Sequence, residues 1–160
     1  MKRPDWDNYF MNIAAVASTR SNCSRRHVGA VIVRDHRIIT TGYNGTPKGV
    51  LNCDEGGCPR CASNAPSGEK LGECVCCHAE ENAIVQAAYH GVSVNNASIY
   101  TTYSPCFLCA KMIINAGIKE VIYSEQYTFD TLTRKLFDEV KILIRPLQKH
   151  NENCTHPIKS

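Results

Sequence analysis

The sequence predicts an α/β domain, and three observations carry that expectation. Five short, β-rich apolar segments are interspersed with segments of helical period along the chain. One strand, helix, strand run over residues 97–124 implies a right-handed parallel unit. The chain has 160 residues and 43% hydrophobic content, enough to bury one core and short for two domains.

The elements follow in order. From about residue 5 to 19, Trp6, Phe10, Ile13, Ala14 and Ala17 recur at three- and four-residue steps, the mark of an amphipathic helix. "VGAVIV" (28–33) is an unbroken apolar run suited to a strand buried on both faces. "RDHR" (34–37) reads as a tight turn into a second strand, "IITTGY" (38–43), which leaves through the turn-rich "NGTPKG" (44–49). Residues 50–77 show neither helical nor strand period, and an irregular segment of that length needs something to hold it. Order resumes with the helix "AEENAIVQAAYHG" (79–91), where Ile84, Ala87 and Ala88 form an apolar stripe and Gly91 is the stop. Next come the strand "ASIYTTY", a helix in "CFLCAKMIINAG" with Pro105 at its entrance and Gly117 at its exit, and the strand "IKEVIYS". A helix in "FDTLTRKLFDE" and a strand in "VKILIRPL" close the pattern. The expected organisation is one domain over residues 1–147, a Cys-rich insertion at about 50–77, and a loosely ordered tail at 148–160.

Composition narrows the function classes. The formal charge of +3 and the lack of any Lys/Arg block argue against a nucleic acid polymer as partner, while leaving a small anion open. No run of 18 apolar residues exists, so no membrane span is expected. The opening "MKRPDWDNYFMN" has charges and aromatics where a secretory signal needs an apolar stretch, and a reducing, cytoplasmic location is expected. Ten cysteines in such a compartment read as thiolate ligands, catalytic groups or buried thiols rather than disulfides.

Two of those cysteines, Cys106 and Cys109, fall at a strand-to-helix junction, where open α/β sheets bind ligands. Their i, i+3 spacing puts both sulfurs on one helix face, and the helix N-terminus favours the thiolate form. His78 stands at the entry of the other strong helix, so two helix starts can converge on one ion. His/Cys/Cys with a fourth position left for water is the ligand pattern of catalytic zinc. Glu80, two residues on, supplies a carboxylate beside the metal without ligating it, the acid/base group that hydrolytic deamination needs. The spacing His78-Ala79-Glu80, then 24 residues, then Pro105-Cys106-Phe107-Leu108-Cys109 is the zinc deaminase signature.

With "GYNGTPKG" (42–49), "HAEENAI" (78–84) and "SPCFLCAKMIINAGIKEVIYS" (104–124), the chain resembles the deoxycytidylate (dCMP) deaminases of the cytidine deaminase superfamily, from about residue 5 to 146. The resemblance implies a three-layer α/β/α sandwich on a mixed, mostly parallel five-stranded sheet. It implies zinc-dependent hydrolysis of dCMP to dUMP for thymidylate synthesis; dCTP is a further candidate substrate, because the same base and sugar contacts would serve and only phosphate room differs. Assembly as a homo-oligomer, often a hexamer, and control by dCTP and dTTP are further implications.

The same resemblance points to substrate or effector contacts at Gly42, Tyr43, Asn44 and Gly45, with Asn44 on the nucleotide sugar. The alternative for Asn44 is a turn asparagine in a left-handed backbone. Arg26, favoured over Arg25, and Tyr127 are phosphate or sugar candidates; a solvated arginine and a packed tyrosine are the alternatives. Phe107 either lines the base pocket or fills the core. In the insertion, Cys58-x2-Cys61 is a metal knuckle, and Cys53, Cys74 and Cys76 lie close enough to complete a second, structural zinc site. Phage members of the family with such a zinc have ligands matching Cys23 and Cys53, so the set of four stays open. Cys77 is expected to point into the core. Rival readings are a deaminase of tRNA adenosine, a free nucleoside or a pterin-like base, and a non-catalytic, zinc-stabilised binding module.

Overall fold

The structure is a computed structural model that describes residues 3–127 and 131–148, so Cys154 and His156 of the expected tail lie outside the described residues. Five helices and five strands are described: α1 (Trp6–Ser18), β1 (Gly29–Arg34), β2 (Arg37–Tyr43), α2 (Pro59–Ala62), α3 (Ala79–Tyr89), β3 (Ser98–Tyr103), α4 (Phe107–Asn115), β4 (Glu120–Glu125), α5 (Thr131–Glu139) and β5 (Leu143–Pro146). The strands form one sheet in the order β2-β1-β3-β4-β5. β1 pairs antiparallel with both β2 and β3, whereas β3, β4 and β5 pair parallel. One strand therefore runs against the other four, the mixed, mostly parallel sheet the resemblance implies.

Alternation along the central strands explains the layers. Ala30 and Ile32 of β1, Ile99 of β3 and Val121 of β4 pack with Ala79, Ala83 and Ala87 of α3, Ala110 and Ile113 of α4 and Phe137 of α5. Their neighbours Val31, Val33, Tyr100 and Ile122 face the other way onto Phe10, Met11 and Ala14 of α1. Successive side chains on a strand point to opposite faces, so an unbroken apolar run such as β1 needs cover on both. The result is three layers, with α1 on one face and α3, α4 and α5 on the other. Among the described residues, no helix is long and apolar enough to cross a membrane.

The first layer is tied to the far sheet edge by an ion pair. The Asp7 carboxylate accepts from the Arg145 guanidinium at 2.7 and 3.2 Å and from the Tyr100 hydroxyl at 3.0 Å. The Arg145 guanidinium holds the Asp7 carboxyl below its usual range, through the hydrogen bond first. A depressed carboxylate stabilises the fold above its unfolded pKa and loses that contribution as pH falls through its folded value. Asp7→Asn is expected to lower stability by about 1 kcal/mol, since the pair is partly exposed and screened. In urea denaturation with excess zinc the gap should stay constant from pH 8 to about pH 5 and close only at lower pH. No difference at pH 7 would count against the contribution.

The insertion departs from regular structure without losing order. Residues 50–77 contain only the one-turn helix α2 and two 3-10 turns, Cys53–Glu55 and Leu71–Glu73. At its base Gly45 and Cys77 form an isolated antiparallel bridge, with N–H to O distances of 3.1 and 2.9 Å. Cys77, expected in the core, is half-buried beside this bridge and joins none of the core clusters. The bridge fixes its backbone and aims the chain at α3.

Candidate active site

The site is assembled from two helix starts. His78 is the N-cap of α3 and Cys106 the N-cap of α4, with Cys109 in the first turn of α4. Pro105 therefore lies one residue before the cap instead of inside the helix. The N–H of His78 donates to the Glu81 carboxylate at 3.1 Å, one half of a capping box that fixes the entry to α3. Helix α3 lies directly on β2 because position 42 has no side chain. A Cβ on Gly42 would stand 2.2 Å from the Ala79 carbonyl oxygen and 2.5 Å from the Ala83 nitrogen. Gly42 thus sets how close the helix that carries His78 and Glu80 comes to the sheet.

The Nδ1 atom of His78 is 3.4 Å from both Cys106 Sγ and Cys109 Sγ. Zinc bonds of about 2.3 Å to sulfur and 2.0–2.1 Å to nitrogen give a tetrahedral N to S edge of about 3.6 Å, so this donor triangle fits zinc. Among the described residues His78, Cys106 and Cys109 form a three-donor group, short of the four that close a structural site. Cys106 is drawn down to about 4 by a hydrogen bond from the Cys109 thiol and, against burial, by His78. His78 is pushed up to about 9 by its hydrogen bond to Cys106. A metal ion at these donors needs thiolates and a neutral imidazole, so its binding would release protons.

Glu80 is 4% exposed, in the first turn of α3. One carboxylate oxygen accepts from the Thr101 hydroxyl at 3.3 Å, and the other lies 3.7 Å from Cys109 Sγ. Burial pushes its carboxyl up from the ordinary value. A carboxyl held beside a metal donor set, oriented by a neighbour and biased toward holding a proton, is equipped for general acid/base work.

A pocket opens over this centre. Its lining includes His78, Glu80, Cys106, Asn44, Arg26 and Tyr127 from the sequence reading, together with Arg25, Tyr103, Ser104, Arg60 and Ser67. The Arg26 guanidinium sits between two rings, 4.7 Å from the centre of Tyr103 and 4.6 Å from that of Tyr127. Tyr127 is fixed in turn: its N–H donates to Ser104 at 2.8 Å, and its hydroxyl accepts from Ser67 at 3.1 Å. The Asn44 carbonyl oxygen accepts from the Ser21 hydroxyl and the Val28 N–H, and its amide donates to the Arg26 carbonyl oxygen, all at 2.7 Å. Asn44 is absent from the left-handed backbone positions and so is not a strained turn residue. It braces the segment that presents Arg26.

Gly42, Tyr43, Gly45 and Phe107 lie outside the pocket lining. Tyr43 is 40% exposed, and Phe107 lies under the Lys111 ammonium at 5.1 Å. Sequence reasoning missed Thr101, Tyr103 and Arg60. Thr101 shares the strand face of buried Ile99, and a polar residue at a core register was a usable signal. Tyr103 ends β3 just before the cysteine motif, where ligands gather. Arg60 offered no signal.

All six candidates for the second zinc come together, five from the insertion and Cys23 from the stretch before β1. Cys23, Cys53, Cys61 and Cys76 form one four-donor group, and Cys58, Cys61, Cys74 and Cys76 form another. Cys58 is drawn down to about 6, against burial, by the backbone N–H groups of Cys61 and Val75, whereas burial pushes the Cys61, Cys74 and Cys76 thiols up.

The chain is similar to known proteins over most of its length. Residues 4–125 match the family model described as the cytidine and deoxycytidylate deaminase zinc-binding region. Deoxycytidylate deaminase of Schizosaccharomyces pombe is 49% identical over 143 residues, 89% of this chain and 44% of the yeast protein. The chain thus spans less than half the length of that relative. Deoxycytidylate deaminase of Mycobacterium phage D29 is 41% identical over 131 residues, 79% of this chain and 99% of the phage protein. The dCMP deaminase of cyanophage S-TIM5, solved in complex with dCMP and dUMP, superposes with a TM-score of 0.73 at 31% identity, covering 92% of this chain and 100% of that one. The matched stretch contains both helix starts and all three donors, and by it the chain belongs to the cytidine and deoxycytidylate deaminase family.

Proposed function

We propose that the chain, as one domain over residues 1–147, converts dCMP to dUMP by zinc-dependent hydrolytic deamination. The observation that carries this reading is the conjunction at one pocket of the His78, Cys106 and Cys109 triangle, buried Glu80, and Arg26 held between two tyrosines. Zinc held by His78, Cys106 and Cys109 would supply the Lewis acidity that brings the pKa of a water toward neutrality. Glu80 takes the proton from the attacking water and passes it to N3 of the cytosine ring. It then takes the proton of the new C4 hydroxyl and gives it to the 4-amino group, which leaves as ammonia as the C4–N bond breaks and the C4 carbonyl forms. Thr101 keeps one Glu80 oxygen anchored, so the other is the one that moves the proton. Arg26 presents a planar fork to the 5′-phosphate.

The substrate named for the S-TIM5 relative supports dCMP. Arg25 and Arg60 line the same pocket, and that added positive charge favours including dCTP as a second substrate. Effector control by dCTP and dTTP, homo-oligomeric assembly and a cytoplasmic location complete the proposal and rest on the resemblance at residues 42–49 and on the free thiols. The test is ammonia release from the purified chain offered dCMP, dCTP, deoxycytidine, CMP and an adenosine-bearing tRNA stem-loop. Turnover of dCMP, alone or with dCTP, far above a residual rate on deoxycytidine is the expected result. Turnover of the tRNA or CMP instead, or of none, would overturn it.

A further inference from the structure

The insertion holds more thiols than one structural zinc can use. Six cysteines, brought from residues 23 to 76, meet in one cluster; five are buried and Cys74 is half-buried. The two four-donor groups are not alternatives on separate surfaces, because they share Cys61 and Cys76. A single ion in either group would leave two thiols beside it without a metal: Cys58 and Cys74 in one case, Cys23 and Cys53 in the other.

The spacing of the sulfurs decides what they are built for. Cys23 and Cys61 are 3.9 Å apart, Cys58 and Cys74 3.7 Å, and Cys61 and Cys74 3.8 Å. A disulfide needs about 2.05 Å. Zinc to sulfur bonds of about 2.3 Å give a tetrahedral edge of about 3.8 Å, which all three pairs match. Backbone N–H groups also aim at the sulfurs, Val75 at Cys58 from 3.3 Å and Ser24 at Cys53 from 3.5 Å. Such donors favour thiolate over thiol.

We propose that the insertion binds two zinc ions in a six-cysteine binuclear cluster, with Cys61 and Cys76 bridging both. Cys23 and Cys53 complete the first ion, and Cys58 and Cys74 the second. Each ion then has four sulfur ligands, and the six thiol protons leave to solvent. An all-thiolate tetrahedral donor set selects zinc among the abundant divalent ions. The site is separate from the catalytic one, so the proposal does not depend on the deaminase reading. Cys61, Cys74 and Cys76 line the pocket beside Arg60, which makes the cluster one of its walls.

Native mass spectrometry of the full chain saturated with zinc tests the count. Three ions per chain are expected for the wild type and two for His78→Ala, which removes a catalytic donor. Two in the wild type, or one in His78→Ala, would overturn the proposal. Cadmium exchange gives an independent reading should the variant not fold. The cluster predicts two ¹¹³Cd resonances in the tetrathiolate range, split by coupling through the shared sulfurs. A single such resonance, disulfides among the six, or iron with visible absorbance would likewise refute it.

Discussion

Glu80→Gln is expected to retain the fold and the zinc content while dCMP turnover falls by about 10²- to 10⁴-fold, the usual worth of general acid/base help. Glutamine has nearly the same shape, so Thr101 can still donate to its carbonyl oxygen and the buried space stays filled. What disappears is the ability to take a proton from water and return it to the ring. Because burial opposes ionisation of Glu80, the neutral amide avoids the cost of burying a charge, and stability should be equal or higher. Turnover and zinc are to be measured on one sample. Turnover within a few-fold of wild type would remove Glu80 from the chemistry, whereas loss of zinc would mean it helps to hold the metal.

The second large effect is expected at Arg26, and it should depend on the substrate. Arg26→Met should lower kcat/KM for dCMP by about 10- to 150-fold, corresponding to roughly 1.5–3 kcal/mol for a charged hydrogen bond. Deoxycytidine, which has no phosphate, should be processed almost as before. The two tyrosine rings already restrict the guanidinium, so little rotamer freedom is lost when phosphate arrives. Arg26→Lys keeps the charge but loses the planar fork and the stacking, and should recover only part of the loss. An equal drop for both substrates would show that Arg26 braces the pocket without recognising phosphate.

The fold was legible wherever burial has a period. The β1 run, doubly covered, reads as an apolar stretch, and α3 and α4 read as stripes ended by Gly91 and Gly117, both at positive φ. Strand order was not legible. Nothing in the apolar pattern of β1 says that it lies between β2 and β3, because a buried strand looks the same beside any neighbour. The short elements of the insertion escaped for another reason: α2 spans four residues, barely one turn, and cannot show a helical period.

The donors of the candidate catalytic site were legible because ligand chemistry fixes both residue type and spacing. Its surroundings were less so. Asn44 and Tyr127 were singled out as ligand contacts, yet in the structure each also braces its neighbours, a role decided by partners distant in sequence. Gly42 was read as part of a binding segment. Its missing Cβ permits a helix contact that no local pattern reveals.

The bridge between Gly45 and Cys77 has a consequence for how this protein can be altered. Residues 46–76 leave and rejoin the sheet scaffold side by side, closed by two backbone hydrogen bonds. The segment is pinned again to the stretch before β1, where the Asp54 N–H donates to the Asn22 carbonyl oxygen at 3.0 Å and Cys23 Sγ meets Cys61 Sγ at 3.9 Å. Loop length costs little once the ends are fixed together. Chain can therefore be added between these pinned points without moving His78, Cys106 or Cys109, and what changes with it is the wall that a bound molecule meets.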